Sequence, residues 1–139
     1  MSLARLEGVC RHYTMGETVV RALDGIDLEI GQGQYWAIMG RSGSGKSTLL
    51  NILGCLDRPT AGSYVLDGMD VSDLDDDALS NVRSRSIGFI FQSFNLIPQL
   101  TVLENIEVPL FYQGLPPSES KRRASEIAGN VGLSDRLHH

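Results

Sequence analysis

A nine-residue glycine-rich segment constrains the fold of this chain more than any other feature. It occupies residues 40–48, has the sequence GRSGSGKST, and matches the pattern G-x-x-x-x-G-K-[ST]. The apolar run that precedes it, residues 34–39, predicts a short buried strand. Residues 46–56 predict a helix that ends before Pro59 and Gly62. A strand, a glycine-rich turn and a helix in this order predict a phosphate-binding loop, or P-loop, in an α/β fold.

The residue types of this loop fit the binding of a nucleotide polyphosphate. Glycines let successive backbone N–H groups converge on an anion, and the start of a helix adds partial positive charge. Lys46 is predicted to reach the β- and γ-phosphates as a point charge, and the Ser47 hydroxyl to bind Mg²⁺. The predicted nucleotide-binding residues of the loop are Gly40, Arg41, Ser42, Gly43, Ser44, Gly45, Lys46, Ser47 and Thr48.

The segments around the loop predict a strand-rich N-terminal part. Residues 3–13 and 19–30 predict two strands, the second bent around Asp24-Gly25. Residues 63–71 predict a hairpin with an Asp-Gly turn, and residues 72–75 match a capping box that would start a helix at Ser72. Residues 86–92 predict a further buried strand.

The last third of the chain has a helical pattern. Residues 101–112 and 118–131 predict helices, separated by the sequence GLPP. We therefore expect two parts: a P-loop nucleotide-binding core with N-terminal antiparallel strands over residues 1–92, and a partial helical subdomain over residues 93–139.

Composition and charge narrow the function classes. The net charge of −5 argues against binding of nucleic acid or an anionic membrane surface through bulk charge. No apolar run approaches the ~18 residues of a transmembrane helix, and the N-terminus lacks a signal-peptide pattern, so a cytosolic location is expected. We expect Cys10 and Cys55 to be small buried residues rather than metal ligands, and His12 to stand alone on a strand. The origin of the final pair, His138 and His139, stays open.

The P-loop alone leaves several nucleotide-dependent activities possible. A GTPase is disfavoured, because the sequence contains neither DxxG nor NKxD. A small-molecule kinase would need arginines on a lid. The candidates are Arg83, Arg85, Arg122 and Arg123, but solvated positions on helix faces are the more common explanation for such arginines.

Outside the loop, further segments match the pattern of one family of P-loop proteins. They are Tyr13 and residues 21–23, 49–54, 57–62, 87–96 and 103–106. With the loop, they resemble the nucleotide-binding domain of ABC transporters, especially the subgroup of lipoprotein-releasing and macrolide-exporting ATPases. The resemblance extends over essentially the whole chain. It implies ATP and Mg²⁺ as cofactors.

The resemblance also implies roles for two residues outside the loop. Tyr13 would stack on adenine, although a tyrosine packed on a strand is the alternative. Gln92 would be the Q-loop glutamine, an oxygen ligand of Mg²⁺, although a polar residue at a strand end is the alternative.

The implied partners are membrane permease subunits and a second ATPase subunit, which places the protein at the cytoplasmic face of a membrane. The helices after Gln92 resemble the helical subdomain that docks on the permease. Four apolar residues near its start fit either that docking contact or the core of the subdomain: Phe94, Leu96, Ile97 and Leu100.

Several motifs of the family are absent from these 139 residues. There is no LSGGQ signature, no switch histidine, and no Walker B strand ending in Asp-Glu. The nearest imitation, residues 64–67, is followed by Gly68 and fits a hairpin better. We therefore expect an N-terminal portion of an ABC ATPase that binds ATP without hydrolysing it by itself. A soluble ABC-type ATPase and a non-catalytic nucleotide-binding module are the alternatives.

Overall fold

The computed structural model describes residues 2–139, which form two compact units divided between Phe89 and Ile90. The N-terminal unit contains a four-stranded antiparallel sheet with strand order β2-β1-β3-β4. Its strands are β1 (Ser2–Met15), β2 (Thr18–Gly31), β3 (Ala61–Leu66) and β4 (Met69–Asp70). Its helices are α1 (Lys46–Leu53) and α2 (Asp76–Ser86).

The hairpin of β1 and β2 confirms the first two predicted strands and the bend between them. Val9 pairs with Ile26 and Arg11 pairs with Leu23, so Asp24 and Gly25 together oppose the single residue Cys10. Two residues opposite one define a β-bulge, and Gly25 has the positive φ of 73° that such irregularities favour in glycine. The bulge turns the side chain of Asp24 toward the residues of β1.

The hairpin of β3 and β4 confirms the predicted Asp-Gly turn. Asp67 and Gly68 both have left-handed backbone angles, with φ of 47° and 78°. Two such residues in succession characterise the type I′ turn, whose twist matches that of the flanking strands.

The core of the N-terminal unit lies between the sheet and its two helices. Ile52 of α1 and Leu79 of α2 are buried against sheet residues such as Leu6 and Val9. The buried phenol of Tyr64 donates a hydrogen bond to the carbonyl of Leu53 at 2.9 Å, which joins β3 to the end of α1. This packing fixes the helix that follows the glycine-rich loop.

Two predicted buried strands are wrong. Residues 34–39 and residues 87–92 lie outside any helix or strand, and Ser86 ends α2. Tyr35 and Ile90 are almost fully exposed, at 97% and 99%. A buried parallel strand forms only when neighbouring strands pair with it, and within residues 2–139 no strand pairs with either segment. Helix α1 also ends at Leu53, three residues before the predicted end.

The predicted capping box at Ser72 is wrong as well. Asp75 caps α2, since its carboxylate accepts the N–H of Ala78 at 2.8 Å. The Ser72 hydroxyl instead accepts the N–H of Tyr64 and donates to Asp70, both at 2.6 Å. Asp has the same capping chemistry as Ser, so the helix starts three residues later than predicted.

The C-terminal unit is helical, as predicted. It contains α3 (Val102–Tyr112), α4 (Pro117–Asn130) and a 3₁₀ turn (Ser134–Arg136). Thr101 and Glu104 form a complete capping box at the start of α3. Proline begins α4, at a position where the missing N–H costs nothing. Within residues 2–139 no helix is long and apolar enough to cross a membrane.

Candidate nucleotide-binding site

The loop of residues 40–48 is held against β2 by a close backbone contact. Gly45 is the N-cap of α1, and its α-carbon lies directly against the carbonyl oxygen of Ala22. Gly45 has φ of 93° and Gly43 has φ of 80°, which are left-handed conformations that glycine adopts most readily. The sequence pattern therefore places glycine where the backbone turns to start the helix.

The ammonium group of Lys46 folds back over the loop. It donates hydrogen bonds to the carbonyl oxygens of Gly40 at 2.7 Å and Arg41 at 2.6 Å, and to the Ser44 hydroxyl at 3.4 Å. A lysine ammonium has three N–H donors, so these contacts use its full donor capacity. Lys46 is therefore positioned at the centre of the loop by the backbone that surrounds it.

The start of α1 faces an open cleft. No side chain of the described residues caps the helix at Gly45, and the N–H groups of a first helical turn have no partner inside the helix. The cleft has a volume of about 530 Å³ and is lined by Val20, Arg21, Ala22, Ser42, Gly43, Gly45, Lys46, Ser47 and Thr48. Among residues 2–139, this lining includes two cationic side chains and no carboxylate. The cleft can therefore bind an anion such as a polyphosphate.

The structure brings together most of the predicted nucleotide-binding residues. Ser42, Gly43, Gly45, Lys46, Ser47 and Thr48 line the cleft itself. Gly40, Arg41 and Ser44 hold the Lys46 ammonium. Val20, Arg21 and Ala22 of β2 also line the cleft. The P-loop pattern does not include these residues, so it could not predict their position.

Tyr13 lies on the strand beside the cleft but not in its lining. It pairs with Val20, which does line the cleft. The Tyr13 hydroxyl donates to the Asp57 carboxylate at 3.1 Å, and the Arg11 guanidinium lies 4.5 Å from the centre of the ring. Arg11 also donates to Asp57 at 2.7 Å, and despite the cost of partial burial these contacts raise the pKa of Arg11. The ring is therefore held at a fixed position near the cleft.

Gln92 belongs to the C-terminal unit, where it is exposed and lies in a bend. Its predicted role as a ligand of Mg²⁺ stays a prediction. Three of the four arginines considered for a lid have partners within their own units. Arg83 donates to the carbonyl of Cys55 at 2.6 Å, and Arg122 and Arg123 both pair with Glu119 on one face of α4.

A second cluster of functional side chains lies on the hairpin of β1 and β2. Cys10, His12 and Asp24 place one sulfur, one ring nitrogen and one carboxylate oxygen within 4.8 Å of one another. Cys55 is buried as predicted, whereas Cys10 is only half-buried, so that prediction is wrong for Cys10. The prediction that His12 stands alone is also wrong. Residues two apart on a strand share a face, so the sequence C-x-H could have indicated the pair. Asp24 could not have been found in this way, because the bulge brings it there.

The C-terminal unit carries an exposed apolar surface. A groove of about 380 Å³ runs along α3 and the start of α4, and its apolar lining includes Ile97, Val108, Phe111, Tyr112 and Leu115. Phe94, Leu96 and Ile97 are exposed at 91%, 62% and 42%, so they do not form the core of this unit.

Comparison with known proteins defines the class to which the fold and the loop belong. The sequence pattern of the ABC transporter family matches residues 23–139, so the chain belongs to this family. The predicted α/β fold of an ABC ATPase, with its antiparallel sheet and helical region, is confirmed by solved structures. One of these is a dimeric ATP-binding cassette in a post-hydrolysis state bound to ADP and Pi, with a TM-score of 0.88 and 46% identity. The superposition covers 97% of this chain and 60% of that one.

Particular relatives point to the export subgroup. An uncharacterised ABC transporter ATP-binding protein of Thermotoga maritima is 55% identical over 134 residues, which are 96% of this chain and 57% of the relative. The macrolide export ATP-binding/permease protein MacB of Brucella abortus is 53% identical over 137 residues, which are 99% of this chain and 21% of the relative. The chain thus spans less than three fifths of the length of these relatives.

Proposed function

We propose that this chain is the ATP-binding part of an ABC transporter, which couples the binding and hydrolysis of ATP to transport across a membrane or extraction from it. One observation carries the proposal. The cleft at the start of α1 combines an uncapped helix terminus with Arg21 and Lys46, and no carboxylate from the described part of the chain lines it. Four phosphate charges need this density of donors and cations in a small volume.

Binding of ATP would require a local exchange of partners at Lys46. Its ammonium now donates to the carbonyls of Gly40 and Arg41. Phosphate oxygens are charged acceptors and form stronger hydrogen bonds than carbonyl oxygens. In the complex, Lys46 would therefore turn toward the β- and γ-phosphates while the loop backbone keeps its shape.

Three other side chains would complete the site. Ser47 lies in the first turn of α1 and lines the cleft, so its hydroxyl would be a ligand of the Mg²⁺ that accompanies the nucleotide. Tyr13 would stack on adenine, supported by its pairing with Val20 at the cleft. Gln92 would supply a further oxygen to Mg²⁺.

We infer that these 139 residues by themselves bind ATP without sustained hydrolysis. Hydrolysis of ATP needs a residue that positions the attacking water and an acid that holds Mg²⁺. No segment of the sequence has the pattern of a Walker B strand with its catalytic glutamate, and Tyr64–Leu66 pairs with β1 as part of a hairpin.

The partners proposed are permease subunits and a second ATP-binding subunit, at the cytoplasmic face of a membrane. The groove along α3 and the exposed Phe94 offer an apolar surface of the kind that binds a partner. Relatives that are named ATP-binding/permease proteins, and a dimeric cassette among the similar structures, support this proposal.

The proposal is tested by nucleotide binding to a Lys46→Ala variant. The chain has only two lysines, so Lys121→Ala on the exposed face of α4 is a matched control for the loss of one positive charge. We expect Lys46→Ala to weaken ATP binding by more than about tenfold in calorimetry, and Lys121→Ala to leave it unchanged. Equal affinities in both variants and the parent chain would contradict a phosphate-binding role for the loop. Steady ATP turnover that Lys46→Ala abolishes would contradict the inferred lack of hydrolysis.

A further inference from the structure

We propose that Cys10, His12 and Asp24 form a binding site for a thiophilic divalent metal ion of the zinc class on the hairpin of β1 and β2. These three ligands are distinct from the residues that line the phosphate cleft, although Arg21 of the cleft lies beside Asp24. The three side chains supply a thiolate, an imidazole and a carboxylate, which are the ligands that Zn²⁺ takes in proteins. The thiolate and the carboxylate each carry one negative charge and the imidazole is neutral, so a complex with one divalent ion has no net charge. A solvent molecule would take the fourth position.

The spacing of the ligand atoms fits a tetrahedral ion. The His12 Nε2 atom lies 3.3 Å from Asp24 Oδ1, and the Cys10 Sγ atom lies 3.9 Å from the same oxygen. With zinc–ligand bonds of about 2.0–2.3 Å, ligand atoms at tetrahedral angles stand about 3.3–3.7 Å apart. All three ligand atoms lie within 4.8 Å of one another. A side-chain movement of up to about an ångström would therefore bring the sulfur and the ring nitrogen to tetrahedral spacing.

The two carboxylate oxygens of Asp24 contact different neighbours. Oδ1 faces the cysteine and the histidine, while Oδ2 lies 3.8 Å from a guanidinium nitrogen of Arg21. A ligating carboxylate is commonly held by such an outer partner, which fixes its orientation toward the metal. Arg21 therefore orients Asp24 without competing for the oxygen that would bind the ion.

The sulfur of Cys10 has a similar second contact. The backbone N–H of Gly25 donates to it at 3.2 Å, a contact that the bulge in β2 creates. A backbone donor aimed at a cysteine sulfur stabilises negative charge on that sulfur, as a metal-bound thiolate requires. The side chain of His12 is about one quarter exposed and that of Asp24 is more than half exposed, so an ion can enter from solvent.

A bound ion would join the two strands at the position where their pairing is irregular. The bulge interrupts the hydrogen-bond ladder between Val9 and Arg11. Ligands from β1 and β2 would bridge this interruption, so we expect the metal to stabilise the hairpin.

Cobalt absorption tests the site, since Co²⁺ replaces Zn²⁺ and reports thiolate ligation by a charge-transfer band. The experiment uses the nucleotide-free chain in a His138→Ala/His139→Ala background, which leaves His12 as its one histidine. We expect one equivalent of Co²⁺ to bind with this band. Cys10→Ser should abolish the band, and Cys55→Ala should keep it. Asp24→Asn should weaken binding by more than about tenfold, while Glu29→Gln on the same strand should not.

A measurement on the unaltered chain tests the site without relying on variants, which could fail to fold. Zn²⁺ should slow alkylation of Cys10 by iodoacetamide, measured for each cysteine by mass spectrometry of peptides. The proposal is overturned if saturating Zn²⁺ leaves the alkylation rate of Cys10 unchanged, or if the cobalt band persists in Cys10→Ser. The proposal is also overturned if the unaltered chain binds Co²⁺ but the His138→Ala/His139→Ala variant does not.

Discussion

The carbonyl oxygen of Ala22 lies so close to Gly45 that a β-carbon on this glycine would be 2.4 Å from it. Gly45 also has φ of 93°, a backbone conformation that residues with side chains rarely adopt. Steric contact and backbone angle therefore each require glycine at this position. The contact fixes the start of α1 to β2, and through it the shape of the cleft.

We expect Gly45→Ala to lower the free energy of unfolding by more than about 2 kcal/mol, because the added methyl group combines strain with a clash against immobile backbone. Gly43→Ala is the matched control. Gly43 also has a positive φ, of 80°, but a β-carbon there meets no atom within 4 Å. It should cost only about 1 kcal/mol of strain. Urea unfolding followed by circular dichroism measures both values. Equal losses in the two variants would show that the Ala22 contact contributes nothing.

The buried phenol of Tyr64 predicts a loss of stability at high pH. Burial raises the pKa of Tyr64 above its ordinary value, and Coulombic interaction with Cys55 raises it further. The folded chain therefore keeps this proton to a higher pH than the unfolded chain. Above about pH 10 the unfolded state binds fewer protons than the folded state, so the free energy of unfolding falls as pH rises, by up to about 1.4 kcal/mol per pH unit.

Tyr64→Phe should flatten this part of the pH profile. At neutral pH the variant should be less stable by about 1 kcal/mol, because the hydrogen bond to Leu53 is lost. Tyr112→Phe, at a residue that is 82% exposed, should follow the parent chain at every pH. Denaturant unfolding between about pH 9 and about pH 11 distinguishes them. Parallel profiles for Tyr64→Phe and the parent chain would contradict the assigned titration.

Features that depend on neighbouring residues could be predicted from the sequence. The Asp67-Gly68 turn, the glycine-rich loop and the start of α3 each result from local backbone preferences or capping chemistry. The contacts of the loop with Ala22 and Arg21 could not be predicted, since they depend on how β2 passes beside α1.

Features that depend on distant pairing were predicted wrongly or missed. The apolar runs at residues 34–39 and 86–92 match the composition of buried strands, but composition does not show whether a neighbouring strand pairs with them. The position of Asp24 beside Cys10 depends on a bulge, and one extra residue in a strand changes which side chains meet across it.

The capping box of α3 predicts a measurable contribution to the stability of the C-terminal unit. The Thr101 hydroxyl accepts the N–H of Glu104, and the Glu104 carboxylate accepts the N–H of Thr101. Thr101→Ala should lower the free energy of unfolding by about 1 kcal/mol. Ser118→Ala is a suitable control, because Ser118 is exposed near the start of α4, which has no side-chain cap. Hydrogen exchange of α3 amides should increase in the first variant only.

The position of Ser47 predicts a selective loss of the magnesium effect on nucleotide binding. Ser47 and Ser42 both line the cleft, but only Ser47 lies in the first turn of α1 beside Lys46. If its hydroxyl binds Mg²⁺, Ser47→Ala should reduce the ratio of ATP affinities with and without Mg²⁺ toward one, while binding without Mg²⁺ is retained. Ser42→Ala should keep the ratio of the parent chain even if its affinity changes. Calorimetric titrations with ATP, in magnesium and in EDTA, measure both ratios. If the ratio of ATP affinities with and without Mg²⁺ is unchanged in Ser47→Ala, the ion is bound by other oxygens. The methyl group of alanine cannot act as a ligand of Mg²⁺ in place of the hydroxyl.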